Sequence, residues 1–464
     1  MRSRRDQVQS YQFMVQRLVA ALVVRETDPA RSPFRRSAAA TLASLLIAAV
    51  ALGVAAGYGA VAGGDATGWR DPAVVIVEKE SGARYVYLGE RLHPVLNYAS
   101  ALLIAGSTSP RTVLVSRRSI EGVPRGVPLG IPDAPDSLPA PDRLLRGPWT
   151  VCSVATGDAR SPARSVLMVG AEAGGGVALG EDAVLAAHPD GSVYLIWRQR
   201  RHLVRDRDLV FPAFGWTGAR PVPISPALLN ALPAGADLAP LRLAGSGERS
   251  ARVTGARVGE VFVVTSLSGE RQYAVATRDG LAVVTQVQAA LLLAARGQDE
   301  PIHLPQGRFT GLPRVPDLVP RDAAAPPATI PRLAPVPAGS VCGTVRDDSG
   351  VAEVRVGASV PQAADGPATG ARATTGGVLV DRVIVEPGRG ALVEAAAAPG
   401  ATGGTVSLVT DLGRRYPVAG TEVLAMLGYG DVAPLRLPAG LVALVPAGEA
   451  LDPVSARTPV ARPA

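Results

Sequence analysis

Residues Ala38 to Ala62, AAATLASLLIAAVALGVAAGYGAVA, decide how the rest of the chain is read. They lie inside a run from Ser37 to Gly64 that carries no charge and consists mainly of Ala, Leu and Val. At ~1.5 Å of rise per helical residue, about 20 such residues cross the ~30 Å hydrocarbon core of a bilayer. Arg25, Arg31, Arg35 and Arg36 crowd the N-terminal side, and Asp65 is the first charge on the other. The positive-inside bias then puts residues 1–36 in the cytoplasm and everything after the span outside. A secretory signal peptide is a competing reading, with Arg35-Arg36 before the apolar run and Ala60-Val61-Ala62 as an A-x-A cleavage site. Signal h-regions, however, run to about 7–15 residues, and their n-regions seldom contain a whole amphipathic helix. A buried soluble helix rarely runs this far without charge. The expectation is an uncleaved single-pass anchor. Gly53-Val-Ala-Ala-Gly57 is a GxxxG pattern that allows close helix approach, but a Gly- and Ala-rich segment produces it easily by chance.

The chain has 464 residues, room for two or three domains. Apolar residues make up 47% and aromatic ones only 4%, so the core is built from Val, Leu and Ala. The 51 Gly and 41 Pro point to many turns and short strands. Lys79 is the only lysine among 47 basic residues, a bias that reads as genome composition. The formal charge is +7, of which the first 36 residues supply +5 (eight Arg, three acids). The external part is thus nearly neutral, which argues against nucleic-acid binding there. A basic tail beside a span is explained by orientation and contact with anionic lipid. Within it, Val8, Tyr11, Val15, Leu18, Val19 and Leu22 recur at helical spacing over Gln7 to Arg25. That helix either lies on the inner leaflet or docks a cytoplasmic partner.

Outside, a strand–turn–strand pattern repeats. Val406 to Val418 and Val261 to Val275 are two copies, Val75 to Val86 is a first, and Val193 to Val204 is a degenerate second. Each is followed by an apolar stretch, seen best in Leu281 to Ala295, that reads as a helix. Copies two and four share an ending, Pro233-Ala-Gly235-x-x-Leu238-x-Pro240 and Pro446-Ala-Gly448-x-x-Leu451-x-Pro453. Copy one ends more loosely, from Val127 through Pro132 to Pro139. Matched spacing favours true repetition over chance. Between the copies, Pro148 to Gly191 and Val341 to Ala398 hold short Val/Leu strands, each with one cysteine, and are expected to meet in one central β domain. In an oxidising compartment Cys152 and Cys342 are most simply a disulfide; two buried free thiols are the alternative. None of the four His shows metal-ligand spacing to either cysteine.

The expected class is α+β, mostly β, with one transmembrane helix followed by an elongated external domain of four repeats around a central β domain. The boundaries are a basic tail with an amphipathic helix (1–36), the span (37–62), repeat one (63–147) and the first part of the central domain (148–192). Repeats two (193–240) and three (241–313) follow. A Pro-rich linker with the second part of the central domain (314–400), repeat four (401–453) and a disordered tail (454–464) complete the chain.

Catalytic motifs are missing. Lys79 stands in Val-Glu-Lys-Glu without a glycine-rich phosphate loop, and there is no G-x-S-x-G, H-E-x-x-H or CxxC. His93 precedes a proline, His202 takes the aromatic position of a repeat, and His188 and His303 fall near Pro in expected loops; all four read as structural. No catalytic, cofactor or metal residue is assigned. The opening Arg4-Arg-Asp-Gln-Val-Gln-Ser-Tyr-Gln-Phe13, with Arg17-Leu-Val-Ala-Ala-Leu22 and Asp28-Pro29-x-x-Ser32-Pro33, resembles the EccB family, the single-pass membrane subunit of actinobacterial type VII (ESX) secretion systems. The resemblance covers the whole chain. It implies a structural subunit that assembles with EccC, EccD and EccE and with copies of itself in the inner membrane, its external domain in the periplasm. Some family members are described as ATPases, which the missing Walker motif does not favour here. A membrane-anchored cell-wall hydrolase or binding protein is the other class, and a polar cleft with converging carboxylates would favour it.

Overall fold

The computed structural model describes residues 4–24, 33–62, 67–156, 162–319, 322–361 and 376–460. Two helices come first, α1 (Arg4–Val24) and α2 (Pro33–Ala62). The described side chains of α2, residues 39 to 55, are all exposed. Among the described residues no helix is long and apolar enough to cross a membrane. The side chains of α2 are described only over residues 39–55, slightly fewer than the ~20 residues a span requires.

The remainder is mixed α/β, built on five small mixed sheets. In the first, β1 (Val74–Glu78), β2 (Arg84–Leu88) and β3 (Arg91–Pro94) form an antiparallel meander. Helix α3 (Tyr98–Ala105) then returns the chain so that β4 (Arg111–Val115) pairs parallel with β1. A parallel partner needs such a crossover. Next come β5 (Trp149–Val154), β6 (Arg164–Met168) and β7 (Val177–Ala178). The second module contains β8 (Val184–Ala187), β9 (Val193–Trp197), β10 (Arg200–Val204), α4 (Arg207–Ala213), β11 (Val222–Pro223) and α5 (Pro226–Ala231). The third contains β12 (Val261–Thr265), β13 (Arg271–Ala276), β14 (Leu281–Val284), α6 (Gln286–Arg296), β15 (Ile302–His303) and α7 (Gln306–Gly311). Strands β16 (Ser340–Val345), β17 (Val351–Val356) and β18 (Arg382–Ile384) follow. The fourth module contains β19 (Gly390–Ala396), β20 (Thr405–Thr410), β21 (Arg415–Pro417), α8 (Thr421–Met426), β22 (Leu435–Pro438) and α9 (Ala439–Val442), before a last turn, α10 (Pro453–Ala456). Four sheets share one plan: third strand, second, first, then the parallel fourth.

The fifth sheet is central, in the order β18-β6-β5-β16-β17-β7. Each half of the chain gives it three strands. Its middle pair, β5 and β16, is antiparallel, with Trp149 and Val151 packed into a core shared with modules two and four. Module one shares a second core with module four, and module two a third with α6 of module three. The shared cores therefore order the parts as one, four, centre, two, three.

Several expectations change in detail. The hairpins at 75–86 and 261–275 are first and second strands, whereas those at 193–204 and 406–418 are second and third. The second and fourth sheets consequently begin earlier than 193 and 401, at Val184 and Gly390. Leu281 to Ala295 is not one helix: Leu281–Val284 pairs with β13, and Thr285 then starts α6 through a capping box with Gln288. β-Branched Val283 and Val284 fit a strand, and the Thr/Gln box fixes the boundary. His303, expected in a loop, lies in strand β15. The expected tail is ordered over 454–460: Val460 N donates to Pro128 O at 3.0 Å and Arg457 reaches Ile104 O at 3.1 Å. Residues 461–464 of that tail lie outside the described residues.

Candidate assembly surfaces

Each module ends in a seven-residue strap that runs parallel to its third strand. The straps are Val123-Pro-Arg-Gly-Val-Pro-Leu129, Leu232-Pro-Ala-Gly-Ala-Asp-Leu238, Leu312-Pro-Arg-Val-Pro-Asp-Leu318 and Val445-Pro-Ala-Gly-Glu-Ala-Leu451. Bridges Leu92↔Arg125, Arg201↔Ala234, Leu281↔Arg314 and Arg415↔Ala447 align them. Proline cannot donate to a ladder, so a Pro-bearing segment suits only this outer position. The ending of module one is therefore four residues earlier than the looser one expected at Val127, and module three has one as well.

The next position in each module is a packing pair. The rings of His93, His202 and Tyr416 sit directly on the Cα atoms of Gly126, Gly235 and Gly448, where a Cβ would collide with them. In module three the third-strand residue is small, Ala282, and the strap residue large, Val315. Ring-on-glycine and alanine-on-valine are two solutions to one volume. Gly448→Val should therefore cost about 1–3 kcal/mol by overpacking Tyr416. Adding Tyr416→Ala should give a double variant at least ~1 kcal/mol more stable than the sum of the singles, measured by chemical denaturation. Simple additivity would count against the pairing.

Links between modules cross from one half of the chain to the other. The link leaving module one joins module four, with Leu145 N donating to Gly390 O at 2.7 Å and the Tyr429 hydroxyl donating to Pro139 O at 2.7 Å. Burial pushes the Tyr429 phenol well up from its ordinary value. The link leaving module three joins module two: Ala183 N donates to Arg332 O and Ala334 N to Ala183 O, both at 2.8 Å. Arg332 also pairs with Asp182 at 2.6 Å. On the central sheet, Arg436 of β22 meets Asp348 at 3.1 Å, which also accepts from Gly400 N.

Cys152 and Cys342, the only site residues named from sequence, are brought together. They are register partners in β5 and β16, their Cα atoms 4.0 Å apart and their sulfurs bonded at 2.08 Å. Both are buried on the face of the central sheet opposite the large core, among Val166, Met168, Ala173 and Ala358. The bond ties one half of the chain to the other at the middle of the sheet.

Chemistry-bearing groups elsewhere are sparse. Among the described residues no three His, Cys, Asp or Glu are grouped to hold a metal ion. A cleft of about 720 Å³ lies where modules two and three meet, lined by Trp197, Arg198, Gln288, Asp317, Asp322 and Ser349 among others. Arg198 covers the Trp197 ring at 4.7 Å and is held by Glu181 at 2.8 Å. Asp322 caps its own turn, accepting from Ala324 N at 2.9 Å. His188 pairs with Asp190 at 2.8 Å in a hairpin turn, where the amide of Ser192 and His188 hold the Asp190 carboxyl down at about 2.

A family model described as "Type VII secretion system ESX-1, transport TM domain B" matches residues 2–461. The chain is 29% identical over 476 residues to "ESX-3 secretion system ATPase EccB3" of Mycolicibacterium smegmatis, covering 97% of this chain and 89% of that one. It is 32% identical over 328 residues to "ESX-2 secretion system ATPase EccB2" of Mycobacterium tuberculosis, covering 67% of this chain and 64% of that one. Among solved structures, a chain of an intact ESX-5 inner membrane complex matches with TM-score 0.67 at 27% identity, covering 100% of this chain and 97% of the other. A chain of the EccB3 dimer from the ESX-3 core complex matches with TM-score 0.66 at 27% identity, over 83% of this chain and 100% of that one.

Proposed function

We propose, from the premise that this chain belongs to the EccB family of type VII (ESX) secretion membrane subunits, that it is a structural subunit of such a complex. The observation that carries this is architectural. Four modules of one plan are clamped in pairs through crossing links and a disulfide-tied sheet, which is a rigid scaffold for contacts. In this reading residues 37–62 are the anchor. The exposed Leu45, Leu46, Ile47 and Leu52 of α2 face lipid, and the uncharged run continues through residues on either side. Residues 1–36 are cytoplasmic, and the modules project into the periplasm beside other copies. The similar EccB3 chain of the ESX-3 core complex is itself a dimer, which supports this self-association. EccC-, EccD- and EccE-type subunits are the membrane partners.

Isolation of the complex through a tag on this chain tests the reading: an FtsK-type ATPase subunit should come with it, and its consistent absence would argue for a free-standing protein. Topology gives a separate check. In intact cells, Ser10→Cys in α1 should resist an impermeant thiol reagent, whereas Ser268→Cys at an exposed hairpin tip should react. Equal labelling of both would overturn the orientation. The hydrolase class makes its own demand on the cleft carboxylates. Asp317→Asn with Asp322→Asn should leave secretion at wild-type level if assembly is the function.

A further inference from the structure

We propose that His202 is an acid-sensitive latch, whose protonation releases the strap 232–238 from β10 and with it the link that joins module three to module two. The ring is fully buried and seated on Gly235. Its Nδ1 lies 2.8 Å from Ala236 O, a bond that the neutral ring makes by donating, and its Nε2 has no partner. A second proton would put an unpaired N–H and a charge where neither reaches water. The same strap holds the link, because Ala236 N donates to Ala324 O at 2.7 Å and the chain then runs on to Arg332 and Ala334 against Ala183. Opening the strap therefore frees the link at Ala324.

The charges around the ring do not offer relief. Arg200 on the same strand adds a positive field, and Arg201 is engaged with Asn230. On the strap, Asp237 attracts the imidazolium, but Arg205 occupies that carboxylate at 2.5 Å. On β9, Trp197 presents its ring at 6.1 Å, and beyond it Arg198 and Glu181 are paired with each other. Burial, the largest influence, holds the His202 ring below its ordinary value, against the pull of the Ala236 carbonyl. The opened strap thus binds a proton that the closed one does not. Closure is fully favoured above the ordinary value of ~6.5 and is lost progressively as pH falls below it. Module four is a built-in contrast: Tyr416 takes the same place over Gly448, and burial raises its phenol away from this range.

Amide hydrogen exchange on the full chain in detergent, at pH 7.5 and pH 5 and corrected for intrinsic rates, reads this directly. Gly235, Ala236 and Leu238, which donate to Arg201, Ala324 and Leu203, should lose protection by up to about thirtyfold at pH 5. Gly448 and Leu451, bonded to Arg415 and Pro417 in module four, should not change. His202→Tyr, copying module four, should abolish the loss in module two. Equal loss in both straps, no loss in either, or a loss that persists in His202→Tyr would each overturn the latch. Comparing the two straps within the unmodified protein keeps the test decisive even where the variant misfolds.

Discussion

Removal of residues 1–30 is expected to abolish secretion while leaving the four modules folded. Helix α1 presents Val8, Tyr11, Phe13, Met14, Val15, Leu18 and Leu22 to its surroundings, an apolar surface that nothing else in the chain covers among the described residues. In the assembly reading this surface meets the cytoplasmic side of the partners, and its loss detaches the subunit from them. Secreted substrate in the culture medium should fall to background, and partner subunits should no longer co-purify. The melting transition of the modules should stay where it was, because no contact within them has changed. Wild-type secretion by the truncated chain would remove the docking role. Robust ATP hydrolysis by the isolated modules, abolished by one substitution that leaves fold and assembly intact, would make the protein an enzyme instead.

Loss of the disulfide is the second large effect. Cys152 and Cys342 close a loop with a sequence separation of 190, for which the chain-entropy model gives about 5 kcal/mol as an upper figure. Cys152→Ala with Cys342→Ala should lower stability by roughly 2–5 kcal/mol, read as a shift of the denaturant midpoint. Non-reduced peptide mapping should show the two cysteine peptides joined in the parent protein. An unchanged midpoint would mean that the central sheet holds its halves together without the bond.

What the sequence disclosed follows from the range of each interaction. Hairpins such as Val261–Thr265 with Arg271–Ala276 are local, and alternation plus a glycine turn marks them. The parallel fourth strands are two to five residues long, and Val222–Pro223 or Ile302–His303 carry no period at all. Their pairing is set by a crossover, which composition does not record. The strap of module three is hidden because Val315 replaces the glycine that marks the second and fourth, and that of module one because its second proline, Pro128, draws the boundary four residues late. The cysteine pair was legible, since two residues allow one partnership. The crossing links were not, because Leu145 and Gly390, or Ala183 and Arg332, say nothing in sequence of their hydrogen bonds.

The crossing of those links also constrains when the molecule can become itself. Among the described residues module one shares its core with module four, some three hundred residues later, and its α3 is finished by Arg457 from almost the end of the chain. In the assembly reading the modules cross the membrane in chain order behind the anchor, so the earliest module emerges half-covered and waits for the last turn of the chain. Contacts of such sequence separation form slowly, and exposed apolar surface during the wait invites association with other chains. Folding cannot proceed piece by piece here, and synthesis that stalls after module two leaves a fragment without module four to cover its first module.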